Sequence, residues 1–352
     1  MSSLIDWSPL PCMVPAEQDG DADRILWPEM SRTVLDEWQG AELHYLSPRE
    51  VCEKFGYPGP GARADVTEAE QQHFENMLER SPRQDGDVTV APAPVDRVEA
   101  SREIKALASS LGADLVGITP VNPHYVYAGQ DVPHANAIVC ALAMRMDELL
   151  RVPRLEANAE FLRAYDELSA IGVELACQIR ERGYPARAHT LLSEGLAMLP
   201  HAHAAGIGEL GKHGSLINRE LGSCFRVSVV TTDLPLSADQ PRDDGIEQFC
   251  ANCQMCTTHC PGDAISDERS EVRGTTKWVV DTEACVPYFA QHYACGICLQ
   301  VCPFNAKAFD GVFKSDFTAA VANIDSEAVA RRLTDSLDAP WTELAPRDAA
   351  AD

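Results

Sequence analysis

No stretch of this 352-residue sequence approaches the eighteen or so uninterrupted apolar residues that a membrane-crossing helix requires. The first residues, Met-Ser-Ser-Leu-Ile-Asp-Trp-Ser-Pro, contain neither a basic cluster leading into an apolar run nor a twin arginine, so they do not read as an export signal. Together these absences predict a cytoplasmic protein with no membrane span. Positive charge is scarce too: 29 Lys and Arg stand against 54 Asp and Glu, a formal net charge of -25. An exterior of that sign repels phosphate backbones, which argues against nucleic acid as a partner. It suits a generally solvated acidic surface, or one that docks a basic or metal-containing redox partner. The apolar share, 45%, is ordinary for a chain that buries a globular core.

Cysteine is plentiful, with 13 in the chain. In a reducing cytoplasm that number points to metal or redox chemistry rather than disulfides. Cys12, Cys52, Cys140, Cys177 and Cys224 are scattered without ligand spacing, and Cys140 and Cys177 sit in apolar contexts that suit small buried residues. The other eight fall into two sets. Cys250, Cys253, Cys256 and Cys260 follow the order Cys-x-x-Cys-x-x-Cys-x-x-x-Cys-Pro; Cys285, Cys295, Cys298 and Cys302 form the second set, again ending in Cys-Pro. Two-residue spacings let consecutive thiolates converge on one cubane, while the three-residue step turns the last cysteine away to the other cluster. The spacing therefore predicts two four-iron four-sulfur clusters, one on Cys250, Cys253, Cys256 and Cys302, the other on Cys260, Cys285, Cys295 and Cys298. Zinc is the competing use of Cys-x-x-Cys, and two complete sets each closed by Cys-Pro speak against it.

The rest of the chain divides by composition into four parts. Residues 1–95 are rich in Pro, Gly and acid and read as an irregular wrapping segment with one helix near 67–80. Residues 96–240 read as an α/β core: a helix at 98–111, an apolar strand at 113–118, a strand at 137–143 and a long helix at 156–182 ended by Gly183. A strand at 186–192, a helix at 194–205 and a strand at 225–231 complete it. The long helix repeats Phe161, Tyr165, Leu168, Gly172, Leu175 and Ile179 along one face. The cluster module follows at 241–312. A short helix at 325–336 and an acidic tail make up 313–352.

The segment Ala-Gly-Ile-Gly-Glu-Leu-Gly-Lys-His-Gly-Ser-Leu-Ile (205–217) places Gly206, Gly208, Gly211 and Gly214 so that backbone could approach a large flat ligand; a tight turn between packed elements would use them equally well. With Leu-Gly-Ala-Asp-Leu-Val-Gly-Ile (111–118), Ile-Arg-Glu-Arg-Gly-Tyr-Pro-Ala (179–186), Phe-Arg-Val-Ser-Val-Val-Thr-Thr-Asp-Leu-Pro-Leu (225–236) and the double cysteine motif, the chain resembles the cobalamin-dependent reductive dehalogenases. That family shares its cobalamin-binding core with the epoxyqueuosine reductases of tRNA modification. The resemblance spans about 100–310. It implies a nitroreductase-like α/β (α+β) core before the ferredoxin-type module, a corrinoid bound base-off near Gly206, Gly208, Gly211, Lys212, His213 and Gly214, and an organohalide as substrate. Electrons would come from a reduced ferredoxin or flavodoxin-type donor. The sequence has no Asp-x-His-x-x-Gly motif to supply a histidine to cobalt.

The resemblance also implies a tyrosine proton donor beside a basic residue, and Tyr165 and Arg226 fall at those places. A phenol with an ordinary value near 10 needs a neighbouring cation to give up its proton readily at neutral pH. Tyr165 shares a stripe with Phe161 and Leu168, so packing in the core is its other reading; an arginine inside an apolar strand is the more unusual feature. Leu191-Leu192-Ser193-Glu194-Gly195 lacks both the polar Asn of some dehalogenases and the acidic Asp of epoxyqueuosine reductases, which leaves the substrate class open. Besides reductive dehalogenation, the sequence therefore admits an epoxyqueuosine-reductase-like tRNA enzyme or a non-catalytic electron-transfer or corrinoid-handling protein.

Overall fold

The computed structural model describes residues 67–192, 195–272 and 274–305. The expected helix at 325–336, the acidic tail and most of the wrapping segment lie outside the described residues. The chain divides into two compact units that interleave in sequence: 67–144, 161–208 and 225–242 make the first, and 145–160, 209–224 and 243–305 the second. Composition alone reads as consecutive segments.

In the first unit α1 (Glu68–Arg80) opens on a capping box, in which the Thr67 hydroxyl accepts the Glu70 N–H and the Glu70 carboxylate takes the Thr67 N–H. Asp96 caps α2 (Arg97–Ser110) by accepting from the Val98 and Glu99 amides. The sheet is built from β1 (Leu115–Pro120), β2 (Asn136–Ala143), β3 (Ala186–His189) and β4 (Phe225–Thr232), in the spatial order β1-β2-β4-β3, every neighbouring pair antiparallel. Helix and strand alternate along the chain, yet no neighbouring strands in the sheet are parallel. β2 and β3 do run parallel to one another and are joined by α3 (Leu155–Glu181), but β4 is inserted between them, splitting the βαβ unit. β1 and β2 lack a crossover helix, so they can only pair antiparallel.

α3 lies along β4. The side of Gly172 that lacks a Cβ faces Ser228, Ala188 and Val230, and the Ser228 hydroxyl reaches the Leu168 carbonyl. Residues alternate across a strand, so Arg226, Ser228 and Val230 share the face covered by this helix. A turn of helix rises about 5.4 Å and two strand residues about 6.6 Å, so Phe161 and Tyr165, one to two turns before Leu168, meet Arg226, two residues before Ser228. Gly183 ends the helix at φ +89°, where a Cβ would stand 2.7 Å from Pro92.

Helix α4 is shorter than the periodicity predicts, Met198–Ala204, because Leu196 bridges Val126 and the Ala197 amide donates to the Tyr125 carbonyl. β3 likewise stops at His189; the next residue, Thr190, accepts from the Gln84 side chain instead of extending the ladder.

In the second unit, α5 (Ile246–Asn252) and α6 (Met255–Thr258) carry Cys250 and Cys256. The hairpin β5 (Ile265–Val272) and β6 (Thr275–Val280) separates the two cysteine sets. α7 (Thr282–Gln291) and α8 (Ile297–Gln300) hold Cys285 and Cys298. Segments 145–160 and 209–224 belong here because they satisfy polar groups of the module: Gln300 donates to the Leu150 carbonyl, and Asn305 bonds the Ser223 hydroxyl and amide. Among the described residues no helix is long and apolar enough to cross a membrane.

Candidate redox centre and tyrosine–arginine pair

Two sites emerge, one in each unit. In the second unit, Cys250, Cys253, Cys256 and Cys302 line one small cavity together with Lys212, His213, Ile217, Phe249, Pro303 and Phe304. The cavity thus gathers the first three cysteines of the first set and the last of the second. Electrostatic coupling divides the eight the same way. Cys302 feels Cys250, Cys253 and Cys256, whereas Cys285 and Cys295 feel Cys260, and Cys298 feels Cys295, Cys285 and Cys260. Cys298 also feels Cys256, so the two groups are neighbours.

Burial and then neighbouring cysteines push the Cys256 thiol up to about 12 and that of Cys285 to about 11. Cys250 is also pushed up to about 12, chiefly by burial, although the Lys212 amide that donates to its sulfur pulls the other way. Cys302 is likewise raised well above its ordinary value, chiefly by burial. Such a set is costly as bare thiolates, and a bound metal cation would offset that cost. Among the described residues no three His, Cys, Asp or Glu side chains close on a point that would hold a single metal ion, and thiolates at the corners of a cubane stand farther apart than around one zinc. Thiolates from both sets lining one cavity match the crossed ligand pattern of a two-cluster module.

The loop that delivers Cys295 is strained. Tyr293, Ala294 and Cys295 take φ values of 50°, 65° and 46°, followed by Gly296 at 88°. Three consecutive non-glycine residues in the left-handed region are costly, and such strain gathers at ligand-holding segments.

In the first unit the structure brings Tyr165 and Arg226 together. The guanidinium carbon lies 4.6 Å from the Phe161 ring centre and 5.6 Å from that of Tyr165. One Nη donates to the Phe225 carbonyl at 3.4 Å, while the buried Nε has no partner. Tyr165 is half-buried and packs against Phe74, Met77 and Leu192, so residues of α1 back the tyrosine. Next to it Asp166 accepts from His73, Asn76 and Arg80. Neither Phe161 under the guanidinium nor this anchor is anticipated from the sequence; an acid inside an apolar helical stripe was the available signal for the second.

The glycine segment is explained largely by packing. A Cβ on Gly206 would stand 2.6 Å from the Gln240 carbonyl, one on Gly211 2.7 Å from Ile217, and one on Gly214 2.7 Å from Val280. The sides that lack a Cβ thus face the protein's own atoms. The Gly208 carbonyl accepts from His203 Nδ1. Lys212 and His213 line the cysteine cavity, and the Lys212 Nζ and His213 Nε2 are buried without hydrogen-bond partners.

A family model described as a 4Fe-4S dicluster domain matches residues 249–306. Over 270 residues the chain is 29% identical to the tetrachloroethene reductive dehalogenase of Desulfitobacterium hafniense, an alignment covering 59% of this chain and 48% of that one. A solved reductive dehalogenase structure that bears on B12-dependent dehalogenation superposes with a TM-score of 0.68 at 28% identity, covering 82% of this chain and 43% of that one. The chain is a homologue of the reductive dehalogenases. It is also 34% identical to the epoxyqueuosine reductase of Leadbetterella byssophila over 124 residues, 30% of this chain and 36% of that enzyme. The mixed α/β fold ending in an iron–sulfur module agrees with this kinship. The chain spans about half the length of the tetrachloroethene enzyme it matches.

Proposed function

We propose that this dehalogenase homologue is an iron–sulfur and cobalamin-dependent oxidoreductase that removes halide from a small organohalide. The observation that carries the reading is the Tyr165–Arg226 pair: a phenol beside a guanidinium whose buried Nε is unpartnered, on a half-buried helix face. Cys250, Cys253, Cys256 and Cys302 would hold one four-iron four-sulfur cluster and Cys260, Cys285, Cys295 and Cys298 a second, and these would supply single-electron transfer from a reduced ferredoxin or flavodoxin-type donor. A bound cobalamin would supply the reduced-cobalt chemistry that breaks a carbon–halogen bond.

The chain's own residues do the rest. Tyr165 holds the proton that replaces the halogen, at its phenolic oxygen. Arg226 stabilises the phenolate left behind, and its free Nε offers a donor to the departing halide. Phe161 fixes the guanidinium plane from one side, and Phe74 and Met77 support the tyrosine from α1. Lys212 and His213 line the cluster cavity. Gly206, Gly211 and Gly214 serve the close approach of chain segments.

The test is anaerobic reconstitution of the full chain with iron, sulfide and cobalamin, followed by metal analysis and halide release from tetrachloroethene or a bromophenol under strong reductant. Tyr165→Phe is expected to keep iron and cobalt and lose halide release. Normal release by that variant would reject the proton donor. Iron-loaded protein that takes up no corrinoid would leave only an electron carrier. Tight tRNA binding at low salt would move the reading to the epoxyqueuosine branch, to which the chain is also similar.

A further inference from the structure

Among the described residues lining the first cysteine cavity, Lys212 is the one lysine or arginine. It is 1% exposed, among the described residues its Nζ has no hydrogen-bond partner, and the Asp267 carboxylate stands 3.9 Å away with 61% of its side chain in solvent. The ammonium also lies 5.6 Å from the Trp278 ring centre. A buried ammonium so weakly compensated is expensive unless an anion shares its cavity. A cubane held by four thiolates is a net anion, and it becomes more negative on reduction.

We propose that Lys212 is a tuning residue: its sealed positive charge raises the reduction potential of the cluster on Cys250, Cys253, Cys256 and Cys302 above that of the second cluster. This rests on the reading that those cysteines hold a cluster. Lys212 acts on three of the four ligands through its charge, and its backbone amide donates to the Cys250 sulfur. The largest charge effects on Cys285, Cys295 and Cys298 come from other cysteines and from Asp281. On reduction one electron enters the cluster and no bond forms or breaks; net charge and hydrogen bonds to sulfur are among the factors that set such potentials. The consequence is a direction: electrons entering at the second cluster run downhill to the first.

The experiment is a dithionite titration of the anaerobically reconstituted full chain, followed by electron paramagnetic resonance, in wild type, Lys212→Met, Lys212→Arg and Asp267→Asn. Lys212→Met is expected to lower one midpoint by the equivalent of at least tenfold in the reduction equilibrium, ~59 mV for a one-electron couple. The other midpoint stays in place, and Lys212→Arg restores most of the shift. Asp267→Asn strips the cation of its counter-charge and moves the same midpoint upward. Unchanged midpoints in iron-replete Lys212→Met overturn the proposal. Should Lys212→Met fail to hold iron, Asp267→Asn decides alone, an upward shift supporting the tuning role and no shift rejecting it. Wild-type protein holding well under about eight irons would instead remove the two-cluster reading, and the tuning role with it.

Discussion

Asp166→Ala tests whether α1 is held against the helix that carries Tyr165. The Asp166 side chain is 7% exposed; Oδ2 accepts from His73 Nδ1 at 2.8 Å and Asn76 Nδ2 at 2.9 Å, and Oδ1 pairs with Arg80. Removing one partner of a buried ion pair costs roughly 3–5 kcal/mol. Arg80 and His73 keep 29% and 26% of their side chains in solvent and can recruit water, so the low end applies, about 3 kcal/mol. At 1.4 kcal/mol per factor of ten, α1 should open on the order of 100-fold more often. Amide hydrogen exchange reads this directly: peptides covering 68–80 should lose protection while those of β2 keep theirs.

The pH dependence adds a sign. Burial pushes the Asp166 carboxyl upward, but hydrogen bonds from Asn76, Arg80 and His73, with the charge of Arg80, outweigh it and hold the group below the ordinary carboxylate range. Its contribution is therefore full above the unfolded-chain value of about 4 and is lost as pH falls through the lower folded value. The gap between wild type and variant should persist from pH 7 to 5 and close below 4. Because Phe74 and Met77 back Tyr165, halide release should fall with α1 protection. Unchanged exchange in α1, or an equal loss everywhere, would refute the anchor.

Three further outcomes follow from the same geometry. Cys302→Ala and Cys260→Ala should each reduce iron from about eight to about four per chain, but each should erase a different paramagnetic component; loss of the same component by both would break the crossed ligand assignment. Gly117→Ala would put a Cβ 2.2 Å from the Ala205 carbonyl oxygen, closer than any real contact, and the resulting overpacking should cost about 1–3 kcal/mol, seen as a lower thermal midpoint. Burial pushes His189 down to about 3, and its ring nitrogens are bonded to the Thr231 hydroxyl and the Gly195 amide. The unfolded chain takes up a proton near pH 6.5 that the folded chain refuses, so stability declines as pH falls from there toward 3; His189→Gln should flatten that decline in urea midpoints between pH 7 and 5.

How far the sequence speaks depends on whether a feature is local. Cysteine spacing acts over a few residues of backbone, so the crossed grouping of Cys302 with Cys250, Cys253 and Cys256 could be read without coordinates, and the same four line one cavity. The helical stripe from Phe161 to Ile179 was legible for the same reason: a period of 3.6 residues is a local property. Strand order is not local. Nothing in the periodicity of β4 says that it enters between β2 and β3, and that insertion sets Arg226 over Phe161 and Tyr165. Glycine is ambiguous in another way, because its missing Cβ signals a close approach without saying to what. Gly206, Gly211 and Gly214 approach the chain itself, and the charged residue among them, Lys212, emerges as a neighbour of the cysteines only through the fold. A buried lysine is expensive wherever it sits, and folding the rest of the chain around one makes sense when a negative charge comes to occupy the cavity beside it.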